Sequence, residues 1–336
     1  MVGNRINWVD VVKGIGVLLV IWGHCTFKPT LLASIIYSFH MPLFFIVSGF
    51  FVDKKVETFF PDYIKKIKKN VVHLIVPYVS FEIIMLLFFW SLSKFGITIG
   101  CQAFDSEWKL SVLWGDGSLW FLPCLFFVQV LLYSLEFIPN KNIKHLLIVG
   151  LFVIGIITER SMWPFHINVA FVALFFTYFG MYARNELFVE KSFQWPVALF
   201  LVIIFVVTNI FYYTNNTRID MSNAYYGGGS IVSYFVFVLS SISGTLLSIF
   251  LSKKISSAKL FIFLGKNSLC IYCIQWPIVL LSCAIIYKFC GDSTPLPFLM
   301  SVIVMVIAVI LTIPIVKFIN KYLYFLLGIR RIKHLC

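Results

Sequence analysis

Charged residues are scarce in this chain, and acidic residues are the scarcest of them. Only 12% of the 336 residues are charged, with 14 acidic against 27 basic side chains. A soluble domain of ordinary surface carries about 25% charged residues. This composition therefore excludes a soluble domain of that kind. Hydrophobic residues make up 60% of the chain and the mean hydropathy is +0.95, values typical of a polytopic membrane protein.

Segments long and apolar enough to cross a bilayer recur along the whole chain, and about ten can be distinguished. The connections at 52–70 and 94–118 are the longest, and both are too short to form a second folded domain. We therefore expect one all-α transmembrane domain over 1–336 with no appended soluble domain. The predicted spans are 8–27, 32–52, 71–93, 119–137, 146–157, 168–184, 196–213, 231–251, 268–289 and 299–318.

Basic residues concentrate on the side of the membrane that holds the N-terminus. With these spans, about 21 of the 27 Lys and Arg residues lie on that side. The asymmetry predicts a multi-pass protein of the cell membrane with both termini in the cytoplasm. It also accounts for the net charge of +13 without a nucleic-acid partner. The oligomeric state is left open.

Cysteine is present but in a pattern that excludes a disulfide framework. Most of the eight cysteines fall inside predicted helices. Cys270 and Cys273 form an i, i+3 pair in an apolar segment with no histidine near them in sequence, so a structural role is favoured over a redox or metal site. We expect no metal.

The first predicted span carries ionisable residues that a plain membrane anchor would avoid: Asp10, Lys13 and His24. At 100° per residue, the steps from Lys13 to His24 end within about 20° of the starting direction, and Asp10 lies about 60° from Lys13. All three side chains therefore share one helix face, with His24 roughly 16 Å beyond Lys13 along the axis. Such a face inside a membrane is a functional candidate.

A second histidine, His40, opens the second predicted span. In the predicted topology this span starts on the side toward which His24 rises, so the two imidazoles are expected at similar depth. Two histidines at one level suit proton abstraction from a hydroxyl near neutral pH. The structural alternative is that each ring is only a polar group satisfied by a neighbouring helix.

Several short strings, in this order and spacing, together resemble the acyltransferase 3 family of integral membrane acyltransferases. The strings are 7–16 (NWVDVVKGIG), 22–24 (WGH), 39–45 (FHMPLFF), 48–51 (SGFF), 118–123 (SLWFLP), 179–184 (FGMYAR) and 264–272 (LGKNSLCIY). The resemblance covers nearly the whole chain and looks closest to the branch of fucose O-acetylase-like proteins and other sugar O-acetyltransferases. The family's basic residue followed, after ten residues, by a histidine is matched by Lys13 and His24.

The resemblance implies a ten-span enzyme that takes an acetyl group from cytoplasmic acetyl-CoA and delivers it to a carbohydrate hydroxyl of a surface polysaccharide or lipid-linked glycan. A paired basic motif of similar proteins is matched by Lys66 and Lys69, which are expected to bind the donor's phosphates. Lysine stands here where arginine is frequent, so bidentate geometry is lost. Ordinary positive-inside anchoring is the alternative for each lysine.

The expected chemistry is acyl transfer to oxygen without a metal. His24 is predicted to take the proton of the attacking hydroxyl. Lys13 or His40 would stabilise developing charge or hold the donor, and Asp10 would pair with Lys13 or with an imidazole. A covalent acyl-histidine and direct transfer are both open.

Three further polar or aromatic residues are candidates for substrate binding. Glu82 falls near the middle of the third span, where a lipid-facing carboxylate is costly. Trp120 is a candidate for stacking on sugar or adenine, although tryptophan is also common at membrane interfaces. Gln275 stands where many similar proteins have histidine, which argues against proton transfer there; its alternative role is an interhelical hydrogen bond.

A transporter is the rival prediction from another functional class. Ionisable stripes and helix-interrupting Pro and Gly within spans also suit a carrier of a sugar or a proton-coupled solute. Composition does not separate the two, and the preference for an acyltransferase comes from the resemblance. A purely structural membrane protein is a third alternative.

Overall fold

The computed structural model describes residues 6–25, 31–52, 60–95, 115, 117–159, 162–188, 194–290 and 298–329, except the side chains of 186–188 and 287–290. Within these ranges the chain is almost entirely helical. The helices are α1 Asn7–His24, α2 Leu31–Tyr37, α3 His40–Gly49, α4 Phe60–Asn70, α5 Val76–Lys94, α6 Phe121–Leu135, α7 Lys141–Ile157, α8 Ile167–Phe188, α9 Trp195–Thr214, α10 Ile231–Lys254, α11 Lys259–Lys266, α12 Ser268–Cys290 and α13 Phe298–Tyr322.

The expected all-α membrane bundle is confirmed. In the described part of the chain, 7 helices are long and apolar enough to cross a membrane, and each of the predicted spans coincides with one or more helices. The lipid-facing character is clearest on α9 and α13, which expose large apolar side chains such as Phe200, Val207 and Ile310. A surface of this kind is stable only against hydrocarbon.

Helix α1 lies at the centre of the bundle rather than at its surface. It packs against α3, α10, α11, α12 and α13, and ten of its 18 residues are buried. It is not among the 7 helices that meet the length and hydropathy criteria for a span. Because its neighbours are protein and not lipid, α1 carries ionisable side chains without exposing them to hydrocarbon.

Two close helix crossings, each built on a pair of glycines, fix the helices that carry the candidate site. Where α1 crosses α11, a Cβ on Gly14 would lie 2.2 Å from the Phe261 carbonyl oxygen. At the crossing of α3 with α8, a Cβ on Gly180 would lie 2.0 Å from the Ile46 carbonyl oxygen. Any side chain at these positions would push the backbones apart.

The second predicted span consists of two helices, because the chain breaks between α2 and α3 at Ser38 and Phe39. The freed carbonyl of Ile36 accepts a hydrogen bond from Nδ1 of His40 at 2.8 Å. The Ser38 carbonyl accepts one from the Ser241 hydroxyl at 3.0 Å. A break inside an apolar bundle is tolerated because side chains satisfy the exposed carbonyls.

The third predicted span begins earlier than expected. Helix α4 continues through a π-helical turn, Val71–Ile75, into α5, so that Phe60–Lys94 forms one 35-residue helical segment. A π-turn shifts the register of the side chains that follow it and is frequent at functional sites. The lysine cluster predicted as the entrance of this span is therefore part of the helix itself.

A short hairpin connects α9 to α10. Strands Ile219–Asp220 and Tyr225–Tyr226 pair antiparallel, with Asp220 opposite Tyr225. Asp220 accepts hydrogen bonds from the Ser222 hydroxyl and from the side chain and backbone N–H of Asn223. These contacts brace the turn, and the hairpin packs against α2 and α10. Burial raises the pKa of the Tyr226 phenol well above its usual range.

The cysteines whose side chains the structure describes lie in the packed interior. In the described ranges, free thiols are recorded for Cys25, Cys124, Cys270, Cys273 and Cys283, and all of them are buried. Cys270 and Cys273 act as small apolar side chains in the packed core around α12.

Candidate active site

A cavity of about 530 Å³ lies inside the bundle, enclosed by α1, α3, α4, α6 and α12. Its volume falls within the range of about 300–1,000 Å³ usual for small-molecule sites. Three lysines, Lys13, Lys66 and Lys69, line one end, which we call the basic end. The other end of the cavity is lined by Val20, Met41 and Gln275, and we call it the histidine end.

The basic end brings together all the lysines that the sequence predicted for donor binding. Lys66 and Lys69 lie one turn apart on α4 and share their face with His73 of the π-turn. The ammonium of Lys66 lies 5.4 Å from the ring centroid of Tyr133, and that of Lys13 lies 4.6 Å from the ring centroid of Phe51. These aromatic faces help to hold both ammonium groups at the cavity wall.

The histidine end owes its name to the residues next to its lining. His40 precedes Met41 at the start of α3, and His24 follows Val20 by one helical turn. From Lys13 to Val20, α1 rises about 10 Å. The cavity therefore leads from three cations toward the two imidazoles.

His24 and His40 lie close enough to interact electrostatically. The His24 ring meets the ring of Trp276 edge-on, with centroids 5.0 Å apart. The His40 ring meets Tyr37 in the same manner, also at 5.0 Å. These aromatic contacts fix the orientation of both imidazoles.

The tautomer of a neutral His40 follows from its hydrogen bond. Because the Ile36 carbonyl can only accept, Nδ1 of His40 carries the proton and Nε2 keeps its lone pair. His40 is 6% exposed, whereas His24 is only partly buried. His24 is thus the less buried of the two residues.

Gln275 lies at the histidine end with its side chain 1% exposed. Among the described residues, no donor lies within hydrogen-bonding distance of its Oε1. The sequence analysis gave an interhelical hydrogen bond as the alternative role of Gln275. Oε1 makes no such bond with the described residues. Trp276, the next residue, is the one that contacts His24.

Glu82 does not line the cavity. Its carboxylate, 4% exposed, accepts a hydrogen bond at 3.2 Å from the backbone N–H of Leu119. Gly117 leaves room for this carboxylate, since a Cβ there would lie 2.2 Å from Oε1. The structure thus places Glu82 as a brace of the turn that precedes α6.

Trp120 belongs to the same turn and also lies outside the cavity lining. Its ring packs on that of His166 with centroids 5.2 Å apart. The backbone at Phe165 and His166 has positive φ values of 54° and 58°, which are unusual for residues other than glycine. Tight packing around the Trp120 indole holds this conformation.

Asp10 is likewise separate from the cavity lining. It is 4% exposed on the face of α1 that meets α11, where Gly265 lets the two backbones approach closely. Lys13 lies three residues further along and turns into the cavity. Of the three ionisable residues predicted to share one face of α1, Lys13 lines the cavity, whereas Asp10 and His24 do not.

Two residues near the site were missed by sequence reasoning. Tyr272 lines the cavity, and its hydroxyl donates to the Ser118 carbonyl and accepts from the Phe121 N–H, each at 3.2 Å. Asp220, in the hairpin, is close enough to both histidines to interact electrostatically. Tyr272 lies in an apolar helix and Asp220 in a polar loop. Neither residue therefore stands out from its neighbours in the sequence.

The fold and the cavity together define an all-helical membrane protein that joins a cationic pocket to a pair of histidines. The chain belongs to the acyltransferase 3 family, because the family model, described as an acyltransferase domain, matches residues 6–321. It is therefore a multi-pass membrane acyltransferase, and the resemblance in the sequence is confirmed at family level. Comparison with curated proteins and with solved structures gives no significant match.

Proposed function

We propose that this protein is an O-acetyltransferase of the cell membrane that moves an acetyl group from cytoplasmic acetyl-CoA to a hydroxyl of a surface or lipid-linked sugar. The observation that carries the proposal is the cavity that runs from Lys13, Lys66 and Lys69 toward His24 and His40. Ten crossings, both termini in the cytoplasm and one domain over 1–336 belong to the proposal, as does membership of the sugar O-acetyltransferase branch.

The basic end suits the nucleotide of acetyl-CoA. Its diphosphate and 3′-phosphate are strong acceptors, and lysine ammonium groups bind such anions by charge-assisted hydrogen bonds. Asp10, three residues before Lys13 on α1, is proposed to help position that lysine. An extended pantetheine arm of about 15–20 Å, as standard bond lengths give, is long enough to follow the cavity toward the histidines.

The reaction that fits this arrangement is direct attack of a sugar hydroxyl on the thioester. The hydroxyl oxygen bonds to the carbonyl carbon while its proton passes to the His24 imidazole. Collapse of the tetrahedral adduct breaks the C–S bond, and the CoA sulfur takes the proton from the His24 imidazolium. Nε2 of His40 is a second acceptor beside this centre, and in its protonated form it would stabilise the oxyanion.

The acceptor is proposed to approach from the side of the bundle that holds the turn before α6 and the hairpin between α9 and α10. Trp120 offers an aromatic face of the kind that stacks on sugar rings. Glu82 is proposed to act on this side through the turn that it braces. Tyr272 joins the same turn to the cavity wall.

The test is acetyl transfer by purified protein in lipid nanodiscs, with radiolabelled acetyl-CoA and glycans extracted from the cell surface. Mass spectrometry of surface and lipid-linked glycans, with and without the gene, identifies the acceptor by a lost acetyl mass. Failure to hydrolyse or transfer acetyl from acetyl-CoA, together with uptake of an unmodified solute into liposomes, would instead establish a transporter.

A further inference from the structure

A histidine that the proposed reaction does not use lies beside the lysines of the basic end. His73 belongs to the π-helical turn Val71–Ile75 and lines the cavity together with Lys66, Lys69 and Asn70. These residues recur every three or four positions, as residues of one helix face do. His73 is exposed, and the described part of the chain makes no hydrogen bond to its ring. The imidazole is therefore free to bind a ligand.

The charges around His73 favour an anion. Lys13 of α1 and Lys66 of α4 line the same end of the cavity, and Lys69 is close enough to interact electrostatically with the histidine. Among the described residues that line the cavity, none is acidic, and α5, which follows the π-turn, places no titratable side chain there. The other titratable groups of the lining are two phenols, those of Tyr133 on α6 and Tyr272 on α12. An anion bound here meets donors and cations only.

The position of His73 along the helix selects one of the donor's phosphate groups. His73 lies roughly 5–6 Å beyond Lys69, in the direction in which α5 continues to Glu82 and the turn before α6. In the proposed function the acyl end of the donor points the same way. The diphosphate of acetyl-CoA joins the adenosine to the pantetheine arm, so it is the phosphate group nearest to that end. It is therefore the group expected level with His73, while the 3′-phosphate stays nearer to the lysines.

We propose that His73 binds the diphosphate of acetyl-CoA through an imidazole N–H and takes up a proton from solvent when the donor binds. This inference rests on the proposed function, because it takes acetyl-CoA as the donor. A protonated imidazole donates a charge-assisted hydrogen bond, which is stronger than the bond from the neutral ring. Donor affinity should therefore rise as the pH falls through the range in which histidine gains its proton, and fall as the pH rises again. His73 takes part in binding and transfers no proton to the substrates.

Equilibrium binding of dephospho-CoA to the full-length protein in nanodiscs tests the contact directly. This ligand keeps the diphosphate and lacks the 3′-phosphate, and its diphosphate carries the same charge at pH 6 and at pH 8. The wild type should bind it about 3- to 10-fold more tightly at pH 6 than at pH 8, the gain expected when one neutral hydrogen bond becomes charge-assisted. CoA itself is measured in parallel.

Three variants isolate His73 from other groups that titrate. His73→Gln keeps a neutral donor and cannot gain a proton, so its affinity should be close to that of the wild type at pH 8 and should not rise at pH 6. The agreement at pH 8 also checks that the variant is folded. His73→Lys carries a cation at both pH values and should bind dephospho-CoA equally tightly at each. His145→Gln is the matched control and should keep the full gain, because His145 contacts Tyr178 and Tyr182 away from the cavity.

The outcomes separate the inference from the proposed function. A gain at pH 6 that persists in His73→Gln, or a wild type with equal affinity at both pH values, would overturn the assignment of His73 and leave the acyltransferase proposal standing. An effect of His73→Gln on CoA but not on dephospho-CoA would also overturn it, since the contact would then be with the 3′-phosphate. Wild-type protein that binds neither ligand and does not use acetyl-CoA would overturn both.

Discussion

At the scale of single residues, the two histidines are similar in chemistry and different in their contacts. His40 is buried and tied to the broken end of α2 through Nδ1. His24 is partly exposed and is held by ring contact with Trp276. In the proposed mechanism His24 is the base, and His40 is assigned the supporting role.

Replacement of His24 by alanine should abolish transfer and leave the protein inserted and folded. Loss of a general base lowers the rate by about 10²–10⁴-fold. The measurement is acetyl transfer under saturating donor. His145→Ala is the matched control, because this histidine contacts Tyr178 and Tyr182 away from the cavity. Retention of a tenth of wild-type turnover by the His24 variant would remove it from the role of base.

The basic end gives a prediction that separates binding from chemistry. Changing Lys66 and Lys69 together to glutamine should raise the Michaelis constant for acetyl-CoA about 10-fold, with little change in turnover at saturation. Phosphate contacts far from the thioester stabilise ground state and transition state alike.

The control uses two neighbouring lysines of the same helix. Lys65 and Lys68 are exposed and do not line the cavity, so their double glutamine variant loses the same charge without the contacts. A fall in turnover at unchanged donor affinity in the Lys66 and Lys69 variant would contradict their role in donor binding.

At the scale of helices, close backbone contact decides where the site residues stand. The crossing of α3 and α8 holds the helix that begins with His40, and it depends on Gly49 and Gly180. Arg184, further along α8, donates hydrogen bonds to the carbonyls of Phe50 and Val52. The C-terminal end of α3 is therefore fixed both by packing and by hydrogen bonds.

The glycine crossing can be tested by adding one methyl group. Gly180→Ala should destabilise the protein by about 1–3 kcal/mol, because the new Cβ meets backbone and not a flexible side chain. Thermal unfolding followed by fluorescence-detected size exclusion measures the loss. Gly150→Ala on α7, where a Cβ would meet nothing within 4 Å, should be neutral or slightly stabilising. Equal unfolding temperatures for the two variants would show that the crossing tolerates separation.

Hydropathy and helical periodicity predicted the membrane bundle. They did not predict the break at Ser38, because both halves of that segment are apolar. Pro42 was the available signal, since proline is favoured in the first turn of a helix. The position of Gln275 at the cavity and the hydrogen bond between Glu82 and Leu119 depend on packing between segments that are distant in sequence. No local pattern encodes such packing.

At the scale of the whole molecule, the proposed arrangement has two substrates meeting inside the bundle from opposite ends. The basic end collects lysines on the side that the charge asymmetry assigns to the cytoplasm. The histidines lie toward the other side. Under this arrangement only the acetyl group crosses the membrane, while CoA stays on the side where it is made.

Sidedness can be measured in sealed vesicles with oriented protein. Acetyl-CoA supplied on the side of the N-terminus and glycan on the other should give product, and the reverse placement should give none. Transfer only when both substrates are on the cytoplasmic side would contradict the transmembrane arrangement and indicate modification of a lipid-linked sugar before export. The acyltransferase assignment would be unaffected by that result.

In the proposed arrangement, helix α1 supplies a cation at one end of this path and an imidazole at the other. The length of α1 between Lys13 and His24 therefore sets the distance between the two groups. Inserting one residue between Lys13 and His24 would turn the histidine by about 100° and move it about 1.5 Å, so the two would no longer serve one substrate. An insertion of four residues would nearly restore the direction and lengthen the separation by about 6 Å. Under the proposed arrangement, the number of residues between Lys13 and His24 sets the length of donor that can reach both.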